Sequence, residues 1–253
     1  MSVIKLIISD IDGTILDQKH QLDSHLLELM PLLKQSEIPF VLASARSPLG
    51  IAPISKELGI TSFPIASYNG ALISTGDKIL SQHTINKKEL LLLHDFLTKE
   101  FPTVSINVYS GKDWYVNTLD KWVKIEAQIT GESPKVTSLA DFLQEEKNLI
   151  HKLLLIDNAA TIQKLKETLA TMDFPQTDFY LSKDNYLEVT HNQVSKKQAL
   201  LELANYYQLS LTEIMSIGDN YNDIPMIETA GLGVAMGNAP TDVKVCANKV
   251  TDS

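Results

Sequence analysis

The stretch Leu6-Ile7-Ile8-Ser9-Asp10-Ile11-Asp12-Gly13-Thr14 constrains the fold more than any other, because an apolar run delivers two carboxylates two residues apart and then turns on a glycine. A short apolar run with no polar face predicts a strand covered by helices on both sides, as in a parallel sheet. Ligands of such sheets bind beyond the carboxyl ends of the strands, so Asp10 and Asp12 fall where a site is expected. If the extended backbone continues through Ile11, both side chains point to the same side. At about 4 Å and an effective dielectric of about 20, the two charges repel by roughly 4 kcal/mol, so a cation, a shared proton or a separating turn must relieve them. Asp-x-Asp-Gly is also an ordinary turn after an edge strand, and only the remaining chain distinguishes the two.

Downstream, Asp23 or Ser24 caps an expected helix carrying Leu26, Leu29, Met30 and Leu33, with Pro31 inside it as a kink or break. A second strand, Ile38 to Ala43, ends in Ser44-Ala45-Arg46. Ser47 and Pro48 open a helix to about Leu58 as N-cap and first helical residue. A third strand, Ser62 to Ser67, runs into Tyr68-Asn69-Gly70-Ala71. Strand, helix, strand, helix, strand is the order of a doubly wound α/β sheet.

The rhythm then changes. Ala71 to Ser74 and Lys78 to His83 flank Thr75-Gly76-Asp77 as a β-hairpin, followed by a helix over about Lys87 to Lys99. Alternating apolar residues at Val104 to Val108 predict a strand with one open face. Further strands are expected at Trp114 to Val116, Lys152 to Ile156 and Phe179 to Leu181, with helices over Leu119 to Ile129 and around Ile162, Leu165 and Leu169. Residues 83–187 are read as an inserted α+β domain, and residues 1–82 with 188–253 as the sheet it interrupts. Trp114 and Trp122 are expected in its core or at an interface.

After Val189 the first pattern resumes. Ser195 is an expected N-cap, with Lys196 and Lys197 in the first turn of its helix. A cation there opposes the helix dipole unless an anion lies near. Ile214 to Gly218 forms a strand ending in Asp219-Asn220-Tyr221-Asn222-Asp223, and Gly231 to Ala239 adds a last strand and turn. Asn220 and Asn238 read as turn residues.

With 253 residues the chain accommodates one domain with a large insertion, and 44% hydrophobic with 21% charged residues is ordinary globular composition. A formal charge of −9 argues against a nucleic acid polymer or an anionic membrane as partner. One cysteine, Cys246, excludes an internal disulfide and fits a reducing compartment. No leader-like segment or long apolar run is evident, which predicts a cytoplasmic protein.

The strand ends thus collect Asp10, Asp12 and Asp219, a hydroxyl at Ser44, an ammonium at Lys196 and an amide at Asn222. In-line displacement at a phosphate monoester needs a nucleophile, a neutralising cation and donors for the equatorial oxygens. Asp10 suits the nucleophile and Asp12 the acid/base. Hard oxygen ligands suit Mg²⁺. Lys196 and Ser44, with the amides of Ile11 and Ala45, suit the phosphate oxygens.

Asp10-Ile11-Asp12-Gly13-Thr14, Ser44-Ala45-Arg46, Lys196 and Gly218-Asp219-Asn220-Tyr221-Asn222-Asp223, in this order, resemble the four motifs of the haloacid dehalogenase-like superfamily. The large insertion between the second and third motifs resembles its Cof-type sugar-phosphatase-like group, subfamily IIB. The resemblance implies a Rossmann-like core with an α/β cap that sets specificity. It also implies a Mg²⁺-dependent phosphatase for small phosphorylated metabolites, such as sugar phosphates, nucleotides or phosphorylated cofactors, working through an aspartyl-phosphate. Asp10 would be nucleophile and metal ligand, Asp12 the acid/base with its carbonyl on the metal, and Asp219 a third ligand supported by Asp223. Ile11, Ser44, Ala45, Lys196 and Asn222 would contact phosphate, and Asn69-Gly70 would lie near the substrate entrance. Two departures stand out, in that Ala45 and Lys197 occupy positions where the group often has glycine.

Two other readings share these residues. A phosphomutase of the phosphomannomutase type would bind both ends of a bisphosphate, yet residues 83–187 contain no arginine, leaving Lys112, Lys121, Lys124 or Lys183 for a second anion. A non-catalytic binding or regulatory protein of the same fold would ordinarily have lost the nucleophile or the acid/base, and both are present. The residues leave the oligomeric state open.

Overall fold

The structure is a computed structural model that describes residues 3–17 and 19–252. The chain divides into two compact units, Met1–Gln82 with Val194–Ser253, and His83–Gln193.

The first unit begins with β1 (Leu6–Ser9), α1 (Ser24–Gln35), β2 (Phe40–Ala43), α2 (Pro48–Glu57), β3 (Ile65–Ser67), β4 (Leu72–Thr75) and β5 (Lys78–Gln82). The second unit carries α3 (Lys87–Glu100), β6 (Ser105–Ser110), β7 (Asp113–Val116), α4 (Lys121–Thr130), β8 (Lys135–Val136), α5 (Leu139–Gln144), β9 (Lys152–Ile156), α6 (Ala159–Leu169), β10 (Thr177–Lys183) and β11 (Tyr186–His191). The first unit then resumes with α7 (Lys196–Tyr207), β12 (Ile214–Gly218), α8 (Ile224–Thr229), β13 (Leu232–Ala235), α9 (Thr241–Val245) and β14 (Lys249–Val250).

Eight strands of the first unit form one sheet in the order β14-β13-β12-β1-β2-β3-β4-β5. Pairing is parallel from β14 to β3 and antiparallel in the β4–β5 hairpin. From β1 the chain builds outward through β2 and β3, then returns to β12 on the other side. The switch point therefore lies between β1 and β12, where a ligand crevice is expected. Consecutive residues of β1 go to opposite faces, as the period of a strand requires. Leu6 and Ile8 pack with Val41, Leu200, Leu203 and Met226, while Ile7 packs with Phe40, Leu42, Ile51 and Ile54. Each such side chain contributes about 1.5–3 kcal/mol on burial, which makes the middle of the sheet the rigid floor of whatever stands at its end.

Helix α1 runs unbroken through Pro31, capped by Asp23, whose carboxylate accepts from the Leu26 N–H. Leu29, expected on its buried face, is 52% exposed, and Met30 carries the contact instead. Ser47 caps α2 with Pro48 at its start, as the sequence predicts.

The second unit has its own six-stranded sheet, β10-β11-β9-β6-β7-β8. Leu153, Leu155, Leu187, Val189 and Val108 face a core completed by Leu90, Leu93 and Leu97 of α3 and Ile162, Leu165 and Leu169 of α6. Its boundary differs from the expected 187/188. β11 pairs antiparallel with both β9 and β10, so the insertion runs to Gln193, because Tyr186 to His191 is an interior strand of this sheet and not the return to the first. Trp114 is buried and stacked on Tyr109, whereas Trp122 is half-buried beneath the Lys121 ammonium. Lys183 lies over the Tyr186 ring, so two of the four lysines suggested for a second anion already have aromatic partners. Among the described residues no helix is long and apolar enough to cross a membrane.

Candidate active site

Asp10 stands one residue beyond β1, its N–H still bonded to the Ile217 carbonyl of β12 at 2.9 Å. This ladder bond fixes the backbone of the carboxylate at the switch point, where the side chain is 5% exposed. Lys196 opens α7 behind the Ser195 cap, whose Oγ accepts from the Gln198 N–H. Its side chain is 2% exposed, while Lys197 beside it faces solvent. The Lys196 ammonium donates to Asp10 Oδ1 and, at 2.6 Å, to Asp223 Oδ1. A lysine at a helix N-terminus is unfavourable alone, and here two buried carboxylates reverse that.

Asp223 is fully buried, and its second oxygen accepts from the N–H groups of Asp219 and Asn220, both at 3.0 Å. It thereby ties the turn after β12 to Lys196. The approach requires Gly218, where a Cβ would stand 2.5 Å from the Cβ of Asp223. Gly13 is required in the same way, having a φ of +85° and space for no Cβ, which would lie 2.4 Å from Asp219 Oδ2. Asp219 is held by Thr14, whose Oγ1 donates to Oδ1 at 3.2 Å, and by Asn238, whose Nδ2 lies 3.5 Å from Oδ2 and donates to the Gly13 carbonyl at 2.9 Å.

Asp10, Asp219 and Asp223 each offer a carboxylate oxygen within 4.8 Å of the others. Three acids share one lysine, which leaves negative charge that a hard cation fits. Burial pushes the Asp10 carboxyl up to about 6, with Lys196 pulling it back and Asp223 adding to the rise. Asp219 is also raised, by burial first and by Asp223 second. Burial works against the charge of Lys196, but the two carboxylates outweigh it and hold the ammonium above the ordinary lysine value.

Asp12 is not in this cluster. Its carboxylate, half exposed, takes a two-point grip from Arg46, Nε to Oδ2 and Nη2 to Oδ1. Ser44 is buried after β2, with its N–H on the Ala66 carbonyl and its Oγ accepting from the Arg46 N–H at 3.2 Å. Ala45 is half-buried between them, and Ile11 is buried with its N–H toward the Asp10 carboxylate. Asn222 is exposed in the 3₁₀ turn Tyr221–Asp223. Asn69 and Gly70 lie in the 3₁₀ turn Tyr68–Gly70, where Gly70 abuts the start of α7.

Sequence reasoning passed over three residues here. Arg46 is the chain's single arginine, a scarcity that could have drawn attention. Thr14 follows the motif-one glycine, and Asn238 read as a turn residue although it reaches across 225 positions to the Gly13 carbonyl.

The chain is similar to known proteins over nearly its whole length. The family model for haloacid dehalogenase-like hydrolases matches residues 7–253. A Haemophilus influenzae protein named "Putative phosphatase" is 34% identical over 249 residues, covering 98% of this chain and 92% of its own length. The crystal structure of a haloacid dehalogenase-like hydrolase from Bacteroides thetaiotaomicron superposes with a TM-score of 0.89 at 29% identity, covering 98% of this chain and 94% of that one. A subclass IIB sugar phosphatase, BT4131, shares the fold with a TM-score of 0.79 at 23% identity, covering 98% of this chain and 93% of its own. With a family model spanning almost the whole sequence and both sheets accounted for, the chain belongs to the haloacid dehalogenase-like hydrolases.

Proposed function

We propose that the protein is a Mg²⁺-dependent phosphatase that hydrolyses phosphate monoesters of small metabolites through an aspartyl-phosphate on Asp10. The observation that carries this reading is the buried Asp10, held at a strand end by Lys196 and facing Asp219 and Asp223. The phosphatase names of its relatives support it.

Asp10, Asp219 and Asp223 supply the hard oxygen set that Mg²⁺ takes, with Asp223 acting mainly by fixing the turn that carries Asp219. When bound, the cation neutralises charge on the transferring group and lowers the repulsion between it and Asp10.

In the first step Asp10 attacks phosphorus through a carboxylate oxygen, the ester P–O bond breaks, and Asp12 gives a proton to the departing oxygen. In the second, Asp12 takes a proton from water as its oxygen attacks phosphorus, the Asp10–phosphorus bond breaks, and inorganic phosphate leaves. One ester and one water become one alcohol and one phosphate. Lys196, Ser44 and the amides of Ile11 and Ala45 serve the equatorial oxygens, with Asn222 at the rim. Arg46 holds the Asp12 carboxylate in a fixed plane.

The test is phosphate release from an aryl phosphate and a panel of phosphorylated metabolites, with Mg²⁺ and after thorough chelation. Turnover that requires the cation is expected. Release that survives chelation overturns the metal assignment, and no release from any ester overturns the activity.

A further inference from the structure

Among the described residues one run of three consecutive left-handed residues occurs, Tyr68-Asn69-Gly70, with φ of 54°, 57° and 99°. Glycine adopts this region freely and asparagine tolerates it, but a bulky aromatic residue there is an outlier. Tyr68 is also 1% exposed. Backbone strain of this kind persists only where the surroundings over-determine it, and it concentrates at functional sites.

The surroundings are specific. The Tyr68 N–H donates to the Arg46 carbonyl at 3.0 Å, and the Asn69 N–H to the Ser44 carbonyl at 2.7 Å. On its other side the turn touches α7, where a Cβ on Gly70 would stand 3.0 Å from the Ser195 carbonyl oxygen and 2.8 Å from the Ala199 Cβ. Ser195 immediately precedes Lys196, and its carbonyl accepts the Ala199 N–H as the first bond of the helix. The turn is therefore wedged between the loop carrying Ser44 and the residue that delivers Lys196. Gly76, in the β4–β5 turn, provides the contrast, having a φ of +56° with nothing within 4 Å of its Cβ position.

We propose that Tyr68-Asn69-Gly70 is a brace that sets the spacing between the Ser44-Ala45-Arg46 loop and Lys196, with Gly70 as the positioning residue at the contact. This rests on the reading of Ser44 and Lys196 as phosphate contacts. The left-handed run lets the two backbone donors face the loop while Gly70 presents no side chain to α7. A methyl group there pushes the start of α7, and Lys196 with it, away from Asp10. The turn thus acts through Lys196 and Ser44.

Gly70→Ala and Gly76→Ala are compared with the parent by kcat on an aryl phosphate and by calorimetric affinity for inorganic phosphate, which needs no turnover. Gly70→Ala is expected to lose about tenfold or more in both, and Gly76→Ala to stay within about twofold, since small displacements of catalytic groups are costly. Adding Ala199→Gly to Gly70→Ala removes one of the two obstructing groups and is expected to restore part of both. A folded Gly70→Ala protein with parental kcat and phosphate affinity overturns the brace, as does a double variant that regains the unfolding temperature but neither kcat nor affinity. Should Gly70→Ala not fold, Asn69→Gly keeps the clearance but frees the turn. About threefold or larger losses in both are then expected, and parental values overturn the brace. A parent that releases no phosphate is a failure of the proposed activity, whereas a variant indistinguishable from the parent is a failure of the brace.

Discussion

The guanidinium of Arg46 closes on both oxygens of the Asp12 carboxylate, Nε to Oδ2 at 2.9 Å and Nη2 to Oδ1 at 2.5 Å. The side chains are 32% and 47% exposed, so the pair contributes little to stability. Its effect is geometric, because a planar fork fixes the plane of a carboxylate where a lysine would fix only a distance.

Arg46→Lys is therefore expected to lower kcat about tenfold while leaving KM and the unfolding temperature close to the parent, against a loss of about 10² or more for Asp12→Asn. Steady-state kinetics on one substrate with a thermal melt checks this. Unchanged kcat would show that Asp12 needs no orientation by Arg46.

Among the described residues, Lys196 is the one buried cation that pairs with both Asp10 and Asp223. Lys196→Met leaves two carboxylates buried together and is expected to destabilise the metal-free protein by about 3–5 kcal/mol. Denaturant unfolding in chelator measures it. A variant as stable as the parent would mean that the carboxylates find relief elsewhere.

Asn238 touches both the Gly13 carbonyl and Asp219, so its amide orients a carboxylate that would ligate the proposed cation. Asn238→Ala is expected to weaken Mg²⁺ binding about tenfold with kcat largely recovered at saturating cation. Calorimetric titration of the metal-free protein decides it, and unchanged affinity would remove Asn238 from the site.

The second unit carries a pH response of its own. His151 is 2% exposed and accepts the Gly111 N–H at Nδ1, and burial pushes its pKa down to about 4. Below the ordinary value of 6.5 the unfolded chain takes up a proton that the folded one refuses, so stability falls as pH drops from about 6.5 to about 4, then levels. The full effect is about 3 kcal/mol, and His151→Asn, which keeps an acceptor but cannot titrate, is expected to flatten that part of the stability profile. A parental slope in the variant would assign the response to other groups.

The opening strand and its acids were legible because burial on both faces and polar ends are written into consecutive residues. Ser47, Ser195 and Pro48 were legible for a similar reason, since capping is local. The insertion's far boundary was not. Tyr186 to His191 has the composition of a strand in either sheet, and only its pairing with β9 and β10 decides which. Leu29 has helical spacing but lies on the outer side of α1, where no other element covers it as fully as Met30. Arg46, Asn238 and the Tyr68–Gly70 turn act through contacts across the fold that periodicity does not encode.

Covalent capture on Asp10 tests the whole account most directly. The protein is mixed with an aryl phosphate and Mg²⁺, quenched in acid during turnover, digested, and its peptides weighed. The mass of one phosphoryl group is expected on the peptide containing Asp10, and absent from it, together with turnover, in Asp10→Asn. Undiminished turnover in that variant, or a phosphoryl group on another residue, would contradict Asp10 as the nucleophile.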